Sequence, residues 1–182
     1  MLTERRELLL AGLGGQGVIL AGLLLGQAAV ADGLYAAGAN SYGAQARGST
    51  CQAGLVLAPE AIDYPHVRAP HLLVAMSQGA YDALAGQMAP GGRVLYDAGL
   101  VSPAGRVGEV GLAVTETARK ELGSPQAANV LWVGVVAGCT GWFSQESLAR
   151  AVAENLPGRF LELNQKALTR GWRMGRQLAE SL

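Results

Sequence analysis

"AGLGGQGVILAG", Ala11 to Gly22, is the stretch on which the fold turns. Gly12, Gly14 and Gly17 satisfy G-x-G-x-x-G, the apolar run Leu8 to Ala11 precedes them, and a segment of helical periodicity from Gln16 to Ala31 follows. A strand, a tight glycine turn and a helix in that order open a dinucleotide-binding type of α/β fold. Spacing alone leaves two readings of the turn: a cradle of backbone amides for an anion, or a strand-to-helix connection that binds nothing.

Arg5 and Arg6 ahead of the uncharged run Leu8 to Ala31, which ends in "AAVADG", imitate a secretory leader. Six glycines and two glutamines interrupt that run, however, and Glu4 and Glu7 sit among the arginines, so neither a leader nor a membrane span is expected. In the second uncharged run, Leu122 to Gln145, the apolar heart is only Val130 to Cys139. Roughly ten residues suit a buried helix better than a span of about twenty. A cytoplasmic location is expected.

The chain has 182 residues, enough for one domain with a real core, and 1–182 is read as a single domain. Lys plus Arg and Asp plus Glu are 14 each, so no basic surface for nucleic acid or anionic membrane is expected. Charged residues make up only 15%, against about 25% in ordinary soluble domains. Either another chain covers part of the surface or the source genome simply favours alanine and glycine. Cys51 and Cys139 have no metal-ligand spacing, so no metal or cluster is expected on this chain.

Strand and helix patterns alternate. Strands are expected at 6–12, 33–39, 51–58, 71–76, 93–97 and 106–114. Helices are expected at 16–31, at 78–88 capped by Ser77, after Thr115, at 129–140, from Ser144, and at 160–180. Gly22 and Gly26, one turn apart, suit close contact with a sheet. The order implies an α/β fold: a Rossmann-like, largely parallel sheet with helices on both faces and ligands beyond the strands' carboxyl ends. The glycine turn and the polar loop "NSYGAQARG" (40–48) then share one edge. A nicotinamide site also wants an acid about twenty residues after the glycines. "LYAAGANSYG" supplies none, and Asp32 comes too early, where a turn role fits.

"GLGGQGVILAGLLLGQAA" and "SYGAQARGSTCQAGLVLAPEAIDYP" resemble two motifs of the gamma subunits of 2-oxoacid:ferredoxin oxidoreductases. "HLLVAMSQGAYDAL", "NVLWVGVVAG" and "LNQKALTRG" extend the resemblance over nearly the whole chain. It implies a complex that decarboxylates a 2-oxoacid on thiamine diphosphate, passes electrons through iron-sulfur clusters to ferredoxin and releases acyl-CoA. Alpha and beta thiamine-binding subunits and a ferredoxin-like subunit are the implied partners. The gamma chain would hold no cofactor and no redox centre of its own. The "SYG" form looks more like the 2-oxoglutarate and branched-chain 2-oxoacid members. Ala44, Gln45 and Ser49 depart from the family's usual proline, glutamate and glycine.

The candidate loop residues are Gly14, Gly15, Gln16 and Gly17 in the first motif and Ser41, Tyr42, Gly43, Arg47 and Gly48 in the second. Gln16 is either a ligand-facing amide or a helix-start cap. Arg47 could hold a phosphate such as that of CoA, pair with a partner's carboxylate, or be plain solvated surface. His66 and His71 are read as structural and Asp97 as a turn residue. No Ser/His/Asp set or paired carboxylates present themselves, so no catalytic residue is assigned. A free-standing nucleotide- or acyl-CoA-binding module and an independent NAD-dependent enzyme are the alternatives.

Overall fold

The structure is a computed structural model describing residues 2–43 and 50–181. Its sheet has six strands: β1 Arg6–Leu13, β2 Tyr35–Tyr42, β3 Thr50–Ala58, β4 Leu72–Ala75, β5 Arg93–Asp97 and β6 Glu109–Leu112. They lie in the order β2-β3-β1-β4-β5-β6. The ladders β1–β4, β4–β5 and β5–β6 are parallel, whereas β3 is antiparallel to both β1 and β2. Five strands therefore point one way and β3 alone runs against them. The expected largely parallel sheet is borne out, with one change: β2 and β3 form a hairpin that places β3 between β2 and β1. β2 also runs through Asn40, Ser41 and Tyr42, which the sequence reading had placed in the loop.

Strand alternation sorts the core. Leu8 and Leu10 of β1, Leu72 and Val74 of β4 and Leu95 of β5 face one large cluster; Leu9, Ala11, Leu73, Ala75 and Val94 face a smaller one. The large cluster packs under α1 (Val18–Ala31), α3 (Val114–Leu122), α4 (Ala128–Thr140), α5 (Gln145–Asn155) and α6 (Leu161–Glu180), and the small one under α2 (Gln78–Leu84). Helices thus cover both faces, very unequally. α1 lies on β3 because Gly22 and Gly26 leave room: a Cβ on Gly22 would come 2.7 Å from the Ala53 Cβ.

α4 is apolar all round and buried along nearly its whole length, as a helix sealed between other elements must be. It packs on α6 through reciprocal glycines. A Cβ on Gly134 would lie 2.3 Å from the Leu168 carbonyl oxygen, and one on Gly171 would lie 2.0 Å from that of Leu131. Gly138 and Gly175 repeat the arrangement one turn further on. Such small-xxx-small contact lets two backbones touch. Among the described residues no helix is long and apolar enough to cross a membrane.

Caps fix the helix ends. The Ser77 hydroxyl accepts the Ala80 amide, as its position at the head of α2 leads one to expect. Thr115 is not a cap: α3 starts a residue earlier, and the Thr115 N–H donates to Oδ2 of fully buried Asp97. Asp97 Oδ1 accepts from Gly99, so its turn role holds and it braces α3 as well. Asp32 closes α1 onto α5, accepting from the Ser144 N–H and from the Ser144 and Ser147 hydroxyls. Burial pushes its carboxyl up, but these bonds and the charge of Arg150 more than offset that and hold it below its usual value. A depressed carboxylate stabilises above its unfolded pKa and ceases to do so as pH falls through the folded one. Asp32→Ala is therefore expected to cost about 1–2 kcal/mol at neutral pH. Urea denaturation of the two proteins should converge as pH drops well below about 3.9.

Candidate functional site

The carboxyl edge of the sheet gathers the ends of β1, β2, β4, β5 and β6. α1 leaves β1 on one face and α2 leaves β4 on the other, so the β1–β4 boundary is the topological switch point at which such sheets hold ligands. A cleft of about 330 Å³ opens there. Its floor is the turn Gly15–Gly17 together with Met76; Leu100 and Thr115 wall one side, and the first turn of α4 walls the other.

The turn is built by its side chains as much as by its glycines. Gln16 bends back: its Oε1 accepts the Leu13 N–H at 2.7 Å and its Nε2 donates to the Met76 carbonyl at 2.8 Å. Both ends of its amide are thus spent on backbone, stitching the end of β1 to the end of β4. Gln16 is a clasp rather than a cap on α1, and it also lines the cleft. Gly17 takes φ +73°, and a Cβ there would meet Asn129 Nδ2 at 2.3 Å. No side chain caps α1, and the first intrahelical bond runs from Ala21 to Gly17. The N–H groups of Val18, Ile19 and Leu20 consequently have no partner within the helix.

The described part of the second motif, Ser41 to Gly43, shares the edge with the glycine turn but not the cleft. Gly12, Cys51 and Tyr42 stand in register across β1, β3 and β2, so Tyr42 lies two strand spacings from the turn, about 10 Å. The cleft opens on the other side of β1, and Ser41, Tyr42 and Gly43 do not line it. Tyr42 is 66% exposed. Arg47 and Gly48 lie outside the described residues, as do Ala44, Gln45 and Ser49. The inserted β3 also explains the missing ribose acid: the strand that would carry it is not beside β1.

Sequence reading missed Thr115, Gln126, Asn129 and Trp132 at the cleft. They reach it from elements about a hundred residues or more away in sequence, which no local spacing reveals. Asn129, a polar residue opening an uncharged helix, was the one local hint. Among the described residues lining the cleft there is no Asp, Glu, His, Cys, Lys, Arg or Tyr. His71 Nδ1 accepts the Glu7 N–H at the opposite edge of the sheet, a structural role. Burial, then the neighbouring Arg6, push its imidazole below the usual value, with Glu7 and Glu4 opposing. Among the described residues no group of three or more His, Cys, Asp or Glu could hold a metal. Two cysteines cannot supply the four thiolates that an iron-sulfur cluster takes.

Fold and cleft together define a Rossmann-like α/β domain with a ligand-type cleft at its switch point. The chain belongs to the pyruvate ferredoxin/flavodoxin oxidoreductase family, whose model matches residues 7–174. It is 37% identical over 179 residues to the 2-oxoglutarate synthase subunit KorC of Methanocaldococcus jannaschii, covering 96% of each chain. It superposes with a TM-score of 0.84 on the gamma subunit of a keto/oxoacid ferredoxin oxidoreductase from Geobacter sulfurreducens, at 30% identity over 97% of this chain and 99% of that one. It is also 36% identical to the ketoisovalerate oxidoreductase subunit VorA of Methanothermobacter thermautotrophicus, over 94% of this chain but only 36% of that longer one. The gamma-subunit expectation is borne out, and with it membership of a multi-subunit oxidoreductase complex.

Proposed function

We propose that the chain, acting as one domain over 1–182, completes a cytoplasmic complex that converts 2-oxoglutarate or a related 2-oxoacid to acyl-CoA and reduces ferredoxin. Thiamine diphosphate and the iron-sulfur clusters are assigned to other chains, the clusters because two cysteines cannot supply their four thiolates. This chain's part is assembly, and no redox step is routed through it. The relatives of like length that carry 2-oxoglutarate in their names support the substrate class.

The observation that carries the assembly role is the uncharged edge made by α1 and β2. Neither element has a charged residue. Leu23 is 48% exposed, Val30 60% and Tyr35 54%, and between α1 and the β2–β3 hairpin runs a groove of about 780 Å³ lined by Gly22, Gly38 and Gly54, with Arg150 and Glu154 of α5 at its margin. β2 is moreover an edge strand without the lysines, prolines or bulges that ordinarily blunt one. A thiamine-binding subunit is assigned to this face. The relative in which the same domain is about a third of one longer chain supports that, since fusion in cis replaces a contact that separate chains must make in trans. Arg47 is assigned to the same functional edge, holding either a CoA phosphate or a partner carboxylate.

Tagged chain expressed with the other subunits should recover one stable complex containing the thiamine-binding chains, identified by mass. Expressed alone it should self-associate, and a soluble monomer that ignores those partners would overturn the reading. The chain alone should also show no calorimetric binding of NAD(H) at micromolar concentrations; saturable binding there would favour an independent dehydrogenase.

A further inference from the structure

β2 is an edge of the sheet, and its backbone is as uncommitted as its side chains are uncharged. We propose that β2 binds a second copy of the chain. The two β2 strands pair antiparallel about a two-fold axis at Ala39, join two sheets into one, and hold the free subunit as a dimer until its partner claims the same face. The pairing stands on the strand itself; only its displacement rests on the assembly role given above.

The backbone comes first. The Gly43 N–H donates to the Thr50 carbonyl at 2.9 Å, and the ladder continues with Tyr42 opposite Cys51 down to Tyr35 opposite Ala58. Hydrogen-bonded pairs alternate in an antiparallel ladder, so Tyr35, Ala37, Ala39 and Ser41 spend their backbone groups on β3. Ala36, Gly38, Asn40 and Tyr42 turn theirs outward, and among the described residues no other backbone group takes them up. That is a template for one more strand.

The sequence of β2 says which strand. With the axis at Ala39, Ala36 stands opposite the second copy's Tyr42 and Gly38 opposite its Asn40. Every outward N–H and C=O is then answered by the same residues in reverse. A shift of two residues in either direction carries Ala36 or Tyr42 past the end of the neighbouring strand. The side chains fit the same register. On the side of α1, where Ala36, Gly38 and Asn40 line the groove, a small residue meets a larger one in each pair. On the other side Tyr35 meets Gly43, Ala37 meets Ser41, and Ala39 meets itself. These are the non-hydrogen-bonded pairs of the joint, whose Cα atoms approach to about 4.5 Å, a distance that suits alanine on alanine.

Charge permits the pairing. α1 and β2 carry none, and among the described residues the groove beside them has only Arg150 and Glu154, which cancel. Two copies of such a face meet without net repulsion, as a two-fold interface requires. A single added strand buries less than an ordinary interface, so a dissociation constant on the order of 10 μM is expected.

Sedimentation velocity of the full chain should show monomer giving way to dimer as concentration rises through that range. Ala39→Lys and Ala39→Glu each set like charges face to face across the axis. Each variant alone should pair at least tenfold more weakly, with circular dichroism unchanged, and the two mixed in equal amounts should pair again. If these variants fail to fold, amide exchange of the wild-type chain by NMR decides. Ala36, Gly38, Asn40 and Tyr42 must slow on dimerisation, while Ala37 and Ala39, bonded to β3, keep their rates. A dimer untouched by Ala39→Lys, a mixture that stays monomeric, or exchange unchanged at those four amides would each overturn pairing at β2. Displacement is read from wild-type chain alone: dilute, monomeric stock should enter the complex faster than concentrated, dimeric stock, and equal rates would overturn the holding role. A chain that stays monomeric yet is recovered with the thiamine-binding subunits overturns the pairing and leaves the assembly role. A dimer that never opens to those subunits does the reverse.

Discussion

Gly171→Ala, the addition of one methyl group, should cost about 3 kcal/mol or more and sharply lower the urea midpoint of unfolding. The new Cβ would stand 2.0 Å from the Leu131 carbonyl oxygen and 3.0 Å from the Val135 amide nitrogen. Both are backbone of a buried helix and cannot swing aside as a side-chain end can. The helices must separate along the whole Gly134–Gly138 and Gly171–Gly175 seam, opening gaps where close contact had been. Against a total stability of about 5–15 kcal/mol, Gly171→Leu should leave no folded chain at all. Gly79→Ala is the matched control. It lies in α2 with nothing within 4 Å of its would-be Cβ, so it should gain about 0.5–1 kcal/mol from helix propensity. Equal losses at both positions would show that the α4–α6 seam is looser than its geometry.

That seam marks a limit of sequence reading. G-x-x-x-G stands in plain sight in "GVVAG" and "GWRMG", 37 residues apart, as it does in "GLLLG" of α1. What was not local is that the two meet face to face, since that depends on α5 turning the chain back. The strand–turn–helix opening, the buried α4, the Ser77 cap and the contact of Gly22 and Gly26 with a sheet were all legible, because each is a short-range pattern. The position of β3 was not. Its alternation announces a strand but says nothing of its neighbour, and hairpin formation with β2 decided where it went. The cleft was half legible for the same reason. Its glycine floor is one contiguous motif, while Thr115, Asn129 and Trp132 arrive through tertiary packing. Low charge left a covered surface and a composition bias as alternatives, and the structure locates an uncharged edge on α1 and β2.

Leu23→Glu combined with Val30→Glu should abolish assembly while leaving the free chain folded. Both side chains project from the outer face of α1, and glutamate is a good helix former, so each change should alter intrinsic stability by no more than about 0.5 kcal/mol. The pair takes the formal charge from 0 to −2, and the lone chain should become more soluble as its sticky edge is broken. If a partner chain covers α1, two carboxylates enter an interface in which the groove's Arg150, already beside Glu146 and Glu154, cannot neutralise both. Desolvating an unpaired charge costs several kcal/mol, so association should weaken by a hundredfold or more. Size-exclusion chromatography of co-expressed subunits reads this directly, with 2-oxoacid-dependent ferredoxin reduction falling in parallel. Val107→Glu, at a fully exposed residue of the loop before β6, should assemble normally. If the double variant assembled and turned over like the wild type, the apolar face of α1 would be open surface and the partner would have to dock elsewhere.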